Sequence, residues 1–147
     1  MLPVTSDTIR IFLHLFGATV WIGGQLVLAA LVPILRPFGP DVVSAAARRF
    51  QVVAWPAFAL LVLTGVWNLA EIGWDQIDGD YGRTVLAKLL VVALSAACAA
   101  AHSLVAGPRV RRAETEEEAR RRRALSGMTG AGALVFALAA AFLGVQL

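Results

Sequence analysis

The sequence has little of what soluble enzymes use for catalysis or cross-linking. Its 147 residues include a single cysteine, Cys98, so an intramolecular disulfide bond is impossible. It has no serine–histidine–acid set, no glycine-rich phosphate loop, no cysteine pair for zinc and no pair of carboxylates within an apolar segment. It also lacks methionine-rich and histidine-rich tracts, which are typical of copper-gathering proteins. Nothing in the sequence therefore indicates a hydrolase.

Charged residues are also scarce, because they form 16% of the chain whereas hydrophobic residues form 59%. A soluble domain is usually nearer to half apolar. Four apolar runs are long enough, at about 20 residues each, to cross a bilayer. They cover approximately residues 9–35, 50–72, 84–106 and 125–147. The sequence thus predicts an all-α integral membrane protein in contact with the lipid bilayer, with residues 1–147 forming one four-transmembrane-helix bundle.

The arginines are concentrated on one side of this predicted bundle. Ten of them lie between the first and second runs or between the third and fourth: Arg36, Arg48, Arg49, Arg109, Arg111, Arg112 and Arg120–Arg123. The opposite side has Arg10 and Arg83 together with five acidic residues. By the positive-inside rule, the arginine-rich side is cytoplasmic and both termini face outward (N-out, C-out). Orientation therefore accounts for the net charge of +3, and no nucleic-acid partner is expected.

The cytoplasmic connection, residues 107–124, is rich in arginine and glutamate. Three glutamates each precede an arginine by four residues, which predicts a short solvated helix. The pairs are Glu116 with Arg120, Glu117 with Arg121 and Glu118 with Arg122.

Small residues mark the expected contacts between helices. Glycines and serines let neighbouring backbones approach closely within a membrane. The positions concerned are Gly17, Gly23 and Gly24 in the first run, and Ser126 with Gly130 and Gly127 with Ala131 in the fourth. The favoured interpretation is tight helix packing, with a homodimer face as an extension of it. The alternative is that Gly23 and Gly24 admit a flat cofactor.

Ionisable residues within the apolar runs are costly, so each is a candidate functional residue. His14 and Lys88 lie at similar depth near the outer edge. A neutral imidazole is a good axial ligand for haem b, and a cation at the interface suits the propionates. In the alternative interpretation, Lys88 extends to the headgroups and His14 bonds a carbonyl group on the next helix.

A second group of candidates lies near the cytoplasmic edge. Cys98 and His102 are four residues apart on one helix face, and Met128 is expected at comparable depth. Thiolate, imidazole and thioether are ligands that Cu(I) selects, although a lone cysteine in an alanine-rich helix also suits simple packing. His102 lies about 21 Å deeper than Lys88, at 1.5 Å per residue. His14 and His102 are therefore not expected to bind one ion within a monomer.

Three segments together resemble the CopD-type (copper-resistance D) family of bacterial membrane domains. They are HLFGATVWIGG, RRFQVVAWPAFALLVLTGVWNL and YGRTVLAKLLVV, within residues 14–92. On this resemblance, His14, Trp21, Tyr81 and Lys88 match the family motif, and copper uptake or handling at the inner membrane is implied. A fainter likeness is to the small haem-linked protoporphyrinogen oxidase membrane family, which also pairs a first-helix histidine with a third-helix lysine. The chain departs from the copper-resistance pattern in having four spans where more are common.

These observations leave three functional classes open. The first is a metal-centre protein, with haem b for electron transfer or an oxidase role, or with copper for copper handling. Its candidate cofactor-binding residues are His14, Lys88, Trp21 and Tyr81, and its candidate metal ligands are His14, His102, Cys98 and Met128. The second is an ion transporter. The third is a structural subunit, in a homo-oligomer or a larger membrane complex, that holds no cofactor.

Overall fold

The computed structural model describes residues 3–106 and 115–147, and these residues are mostly helical, with no strand among them. Four long helices account for most of them: α1 (Ser6–Leu35), α2 (Pro40–Ile72), α3 (Gly79–Ala100) and α4 (Glu116–Gly144). Each lies in a segment long and apolar enough to cross a membrane. The prediction of an all-α protein with four membrane-spanning helices is confirmed. The chain forms two compact units, residues 1–82 and 83–147, each of which is described by itself.

The helices extend beyond the apolar runs that predicted them. Helix α2 begins at Pro40 rather than near residue 50, and α4 begins at Glu116 rather than near residue 125. Hydropathy marks only the part of a helix that matches the hydrocarbon core, about 30 Å, whereas the 33 residues of α2 span about 50 Å. Of the predicted connection 107–124, residues 107–114 lie outside the described residues.

Capping and charge explain where α4 begins. The Thr115 hydroxyl oxygen accepts a hydrogen bond from the Glu118 amide at 3.2 Å, which satisfies an amide at the first turn. Glu118 pairs with Arg122, as the four-residue spacing predicts. Glu116 contacts Arg123 at 3.4 Å, seven residues on, rather than the predicted Arg120. A helix is therefore present where the sequence predicted one, as the first turns of α4.

In the first unit, a tight turn reverses the chain between α1 and α2. A short 3-10 helix covers Arg36–Phe38, and Gly39 follows with φ of 106°. This backbone conformation favours glycine, because in other residues the Cβ atom would clash with the backbone. Pro40 then occupies the first turn of α2, where a missing amide hydrogen costs nothing.

Helices α1 and α2 pack through one face of α1. A methyl group built on Gly17 would lie 2.9 Å from the carbonyl oxygen of Ala57, so the backbones approach closely there. Trp21, which is 4% exposed, packs on Phe58 with ring centroids 4.5 Å apart. Gly24 faces the Phe50 ring, whereas Gly23 has no described atom within 4 Å of such a methyl group. Close packing at Gly17 and Gly24 is thus confirmed.

In the second unit, α3 and α4 pack through small residues. The Ser95 side chain is 1% exposed, and its hydroxyl donates a hydrogen bond to the Ala133 carbonyl oxygen at 2.8 Å. Ala133, Ala137 and Ala140 form the buried face of α4. Their spacing of four and then three residues follows the helical repeat, so a continuous small-residue stripe meets α3.

Candidate functional site

Each of the two histidines within the apolar spans is the centre of a separate candidate site, and His14 lies within the first unit. Its Nδ1 atom is 3.0 Å from the hydroxyl oxygen of Thr64 in α2. The Thr64 hydroxyl donates its own hydrogen to the Leu60 carbonyl oxygen at 2.7 Å, so the hydroxyl oxygen accepts from Nδ1–H of His14. In a neutral ring this places the coordinating lone pair on Nε2.

Thr64 and Gly65 together form the surface that receives the imidazole. Thr64 is 3% exposed, and a methyl group built on Gly65 would lie 3.4 Å from Cε1 of His14. The Thr–Gly dipeptide lies within the second of the three segments on which the family resemblance was drawn. Its contact with His14 was not predicted, because hydropathy gives no register between two helices.

The other residues predicted for the outer site occupy different surroundings. Trp21 lies seven residues after His14, about 10 Å along α1, within an aromatic cluster with Trp55 and Phe58. Tyr81 is half-buried in the first turn of α3. Lys88 belongs to the second unit, where its Nζ lies 3.0 Å from a methyl group built on Gly144. That position is the last turn of α4, where carbonyl groups favour a cation.

His102 is held in the second unit in the same way as His14 in the first. It lies in a π-helical segment, Ala101–Ala106, that follows α3. Its Nδ1 atom donates to the Ser126 carbonyl oxygen at 2.8 Å, and a methyl group built on Gly130 would lie 3.3 Å from the ring. The hydroxyl oxygen of Thr129 is 3.4 Å from the same nitrogen. The lone pair of a neutral ring is again on Nε2.

Cys98 lies on the side of α3 that faces α4. Its half-buried Sγ is 3.3 Å from a methyl group built on Gly132. Cys98 and His102 therefore both meet glycines of α4, two residues apart in sequence. Within the described part of the chain, no group of three or more histidine, cysteine or acidic side chains is placed to hold a metal ion.

Met128 makes no described contact with Cys98 or His102. Its side chain is 71% exposed, whereas Ser126, Thr129 and Gly130 all contact His102. Residues two apart on a helix point about 200° apart, so Met128 lies on the far side of α4 from Ser126. Depth along the helix was predicted from sequence, but rotation about the helix axis was not. Ser126 and Thr129 are the polar contacts of His102 that sequence reasoning missed.

Fold and site together define a multi-pass helical membrane protein with a histidine anchored in each of two helical hairpins. The family model "Copper resistance protein D" matches residues 44–144, which is 101 of 147 residues. The chain belongs to the CopD family. Neither the curated proteins nor the solved structures contain a match. The matched region includes Lys88, Cys98 and His102, and it begins after His14 and Trp21, so it differs in extent from the region on which the resemblance was drawn.

Proposed function

We propose that the chain handles copper in a bacterial cytoplasmic membrane and that Cys98 and His102 bind Cu(I). The observation that carries this proposal is the anchored His102 ring. Its Nδ1 atom donates to Ser126, so Nε2 is the atom that presents a lone pair. A hydrogen bond of this kind at the other ring nitrogen orients metal-binding histidines and raises their basicity.

The chemistry of the two side chains fits copper in its reduced state. Thiolate and imidazole are ligands that Cu(I) accepts, and this soft ion is stable with few ligands. A set of two ligands is therefore compatible with Cu(I), whereas structural zinc sites take four. Family membership points to the same metal, since both residues lie within the matched region.

Competition for Cu(I) tests this proposal. The detergent-purified chain is titrated with Cu(I) under anaerobic conditions against a chromophoric Cu(I) chelator. We expect about one retained ion per chain, and loss of that ion in His102→Ala and Cys98→Ala. His14→Ala is the matched control, because it removes the same side chain from the other unit and should retain the ion. Retention by both of the first two variants would contradict the proposal.

A second candidate function is haem b binding through His14. The observation that favours it is the 3.0 Å hydrogen bond between Nδ1 of His14 and the Thr64 hydroxyl oxygen, because with Nδ1 as the donor Nε2 would be the axial ligand atom of bound haem. Bound haem would supply one-electron redox chemistry. Absorption spectra of oxidised and dithionite-reduced protein, with elemental analysis of the same sample, separate the two metals. A Soret band that disappears in His14→Ala and persists in His102→Ala would support haem at His14.

We also propose that both termini lie outside the cytoplasm. The ten arginines between the first and second spans and between the third and fourth spans support this orientation.

A further inference from the structure

We propose that a groove on α2, lined by Ala45, Arg48, Arg49 and Val52, binds the headgroup of an anionic phospholipid. The groove is an open depression on the helix surface rather than an enclosed cavity, so it suits a headgroup that lies along the helix. Its lining residues follow the i, i+3, i+4, i+7 spacing, so they form one continuous strip along the helix. This inference is independent of copper or haem binding.

The position of the two arginines along α2 suits a phospholipid headgroup. Arg48 precedes Glu71 by 23 residues, which is about 35 Å of helix at 1.5 Å per residue. The hydrocarbon core is about 30 Å thick, so a helix with Glu71 at one interface has Arg48 in the headgroup layer of the other. Arg49 follows directly and lies at the same level.

The two guanidinium groups have no acidic partner within the described part of the chain. No ion pair or hydrogen bond of either side chain is seen there, although Arg10 pairs with Asp7 at 3.0 Å and Arg122 pairs with Glu118. Arginine binds phosphate oxygens through paired N–H groups. Two adjacent and exposed guanidinium groups therefore offer a phosphate more donors than a single interfacial arginine does.

The apolar wall of the groove identifies a lipid rather than free phosphate. Val52, which lines the groove, is 70% exposed, and the neighbouring Val53 is 57% exposed, both on the membrane side of the arginines. An acyl chain would cover this surface while the phosphate contacts the guanidinium groups. Inorganic phosphate has no apolar group that could pack against these valines. Charge complementarity and the adjoining apolar surface thus both favour an anionic phospholipid.

Native mass spectrometry of the full chain in detergent tests this site. The probes are phosphatidylglycerol, phosphatidylcholine with the same acyl chains, and inorganic phosphate. We expect phosphatidylglycerol adducts on the unmodified protein and few with phosphatidylcholine. In the double variant Arg48→Gln/Arg49→Gln, phosphatidylglycerol occupancy should fall about tenfold or more.

The matched control is Arg120→Gln/Arg121→Gln, which removes the same charge from exposed positions of α4 and should retain the lipid. Val52→Trp is a second test, because it fills the groove without changing the charge and should also lower occupancy. Helix content by circular dichroism identifies any variant that fails to fold. Unchanged phosphatidylglycerol binding in both groove variants, equal loss in the control, or displacement of the lipid by inorganic phosphate would overturn the proposal.

Discussion

Each of the two histidines donates one hydrogen bond from Nδ1 to an oxygen of a neighbouring helix within the apolar interior. His14 donates from Nδ1 to the Thr64 hydroxyl oxygen, and His102 donates from Nδ1 to the Ser126 carbonyl oxygen. A hydrogen bond removes most of the cost of burying a polar nitrogen. The same bond also fixes which nitrogen carries the proton, so an anchored histidine is both compatible with the membrane and prepared for coordination through Nε2.

The role of Thr64 is testable through the tautomer of His14. Thr64→Val keeps the shape of the side chain and removes the acceptor, so we expect Nδ1–H to lose its preference and the free energy of unfolding to fall by about 1 kcal/mol. Nitrogen-15 chemical shifts of labelled histidine report the tautomer. Thr64→Ser keeps the hydroxyl group and should preserve the wild-type shifts. An unchanged His14 spectrum in the valine variant would mean that Thr64 does not set the tautomer.

Among individual residues, the sequence predicted which ones are unusual and, as one alternative, a bond from His14 to the next helix, but it did not predict the groups that they contact. His14 and His102 are recognisable because ionisable side chains are rare within apolar runs. Their partners are an ordinary threonine and a backbone carbonyl group, and only the register of two helices brings them together. Met128 shows the same limit, because its depth is readable from the sequence whereas its direction around α4 is not.

The helix pairs depend on a few close approaches, and Gly17 is the most demanding of them. Gly17→Ala would place a methyl group 2.9 Å from the Ala57 carbonyl oxygen, which the α2 backbone cannot easily move aside. We expect the free energy of unfolding in detergent to fall by about 1–3 kcal/mol. Gly23→Ala is the control, because no described atom lies within 4 Å of its added methyl group. Equal effects of the two substitutions on thermal unfolding would contradict close packing at Gly17.

In the second unit, Ser95 supplies a hydrogen bond between helices. Ser95→Ala removes the donor to the Ala133 carbonyl oxygen and should lower the free energy of unfolding by about 0.6–2 kcal/mol, the range for such bonds in membranes. Ser103→Ala removes a hydroxyl group that donates to the Ala100 carbonyl oxygen, three residues earlier in the chain. This control should have a smaller effect on unfolding. If both variants unfold alike, the bond to α4 contributes nothing beyond local hydrogen bonding.

The existence of the four helices followed from apolar length, and so did the ends of α1 at Leu35 and α2 at Ile72, but the starts of α2 and α4 did not. Thr115 and Gly39 are boundary residues whose effects depend on capping and on backbone conformation, and neither contributes to hydropathy. The N-terminal ends of α2 and α4 consequently lie about ten residues before the predicted spans. That extension carries charged side chains beyond the hydrocarbon core, including Arg48 and Arg49 on α2 and the glutamates and arginines at the start of α4.

For the whole molecule, the strongest remaining expectation from sequence is orientation. Moving ten arginines across the membrane during insertion is opposed far more strongly than moving Arg10 and Arg83, so both termini should be extracytoplasmic. Alkaline phosphatase fused after Leu147 should be active, and green fluorescent protein at the same place should be dark. Fusion of the two reporters after Gly39, in the α1–α2 turn, should give the reverse pattern. Fluorescence from the Leu147 fusion would show that the C-terminus is cytoplasmic and the orientation is the reverse of the proposed one. The groove of Arg48 and Arg49 would then lie in the outer leaflet.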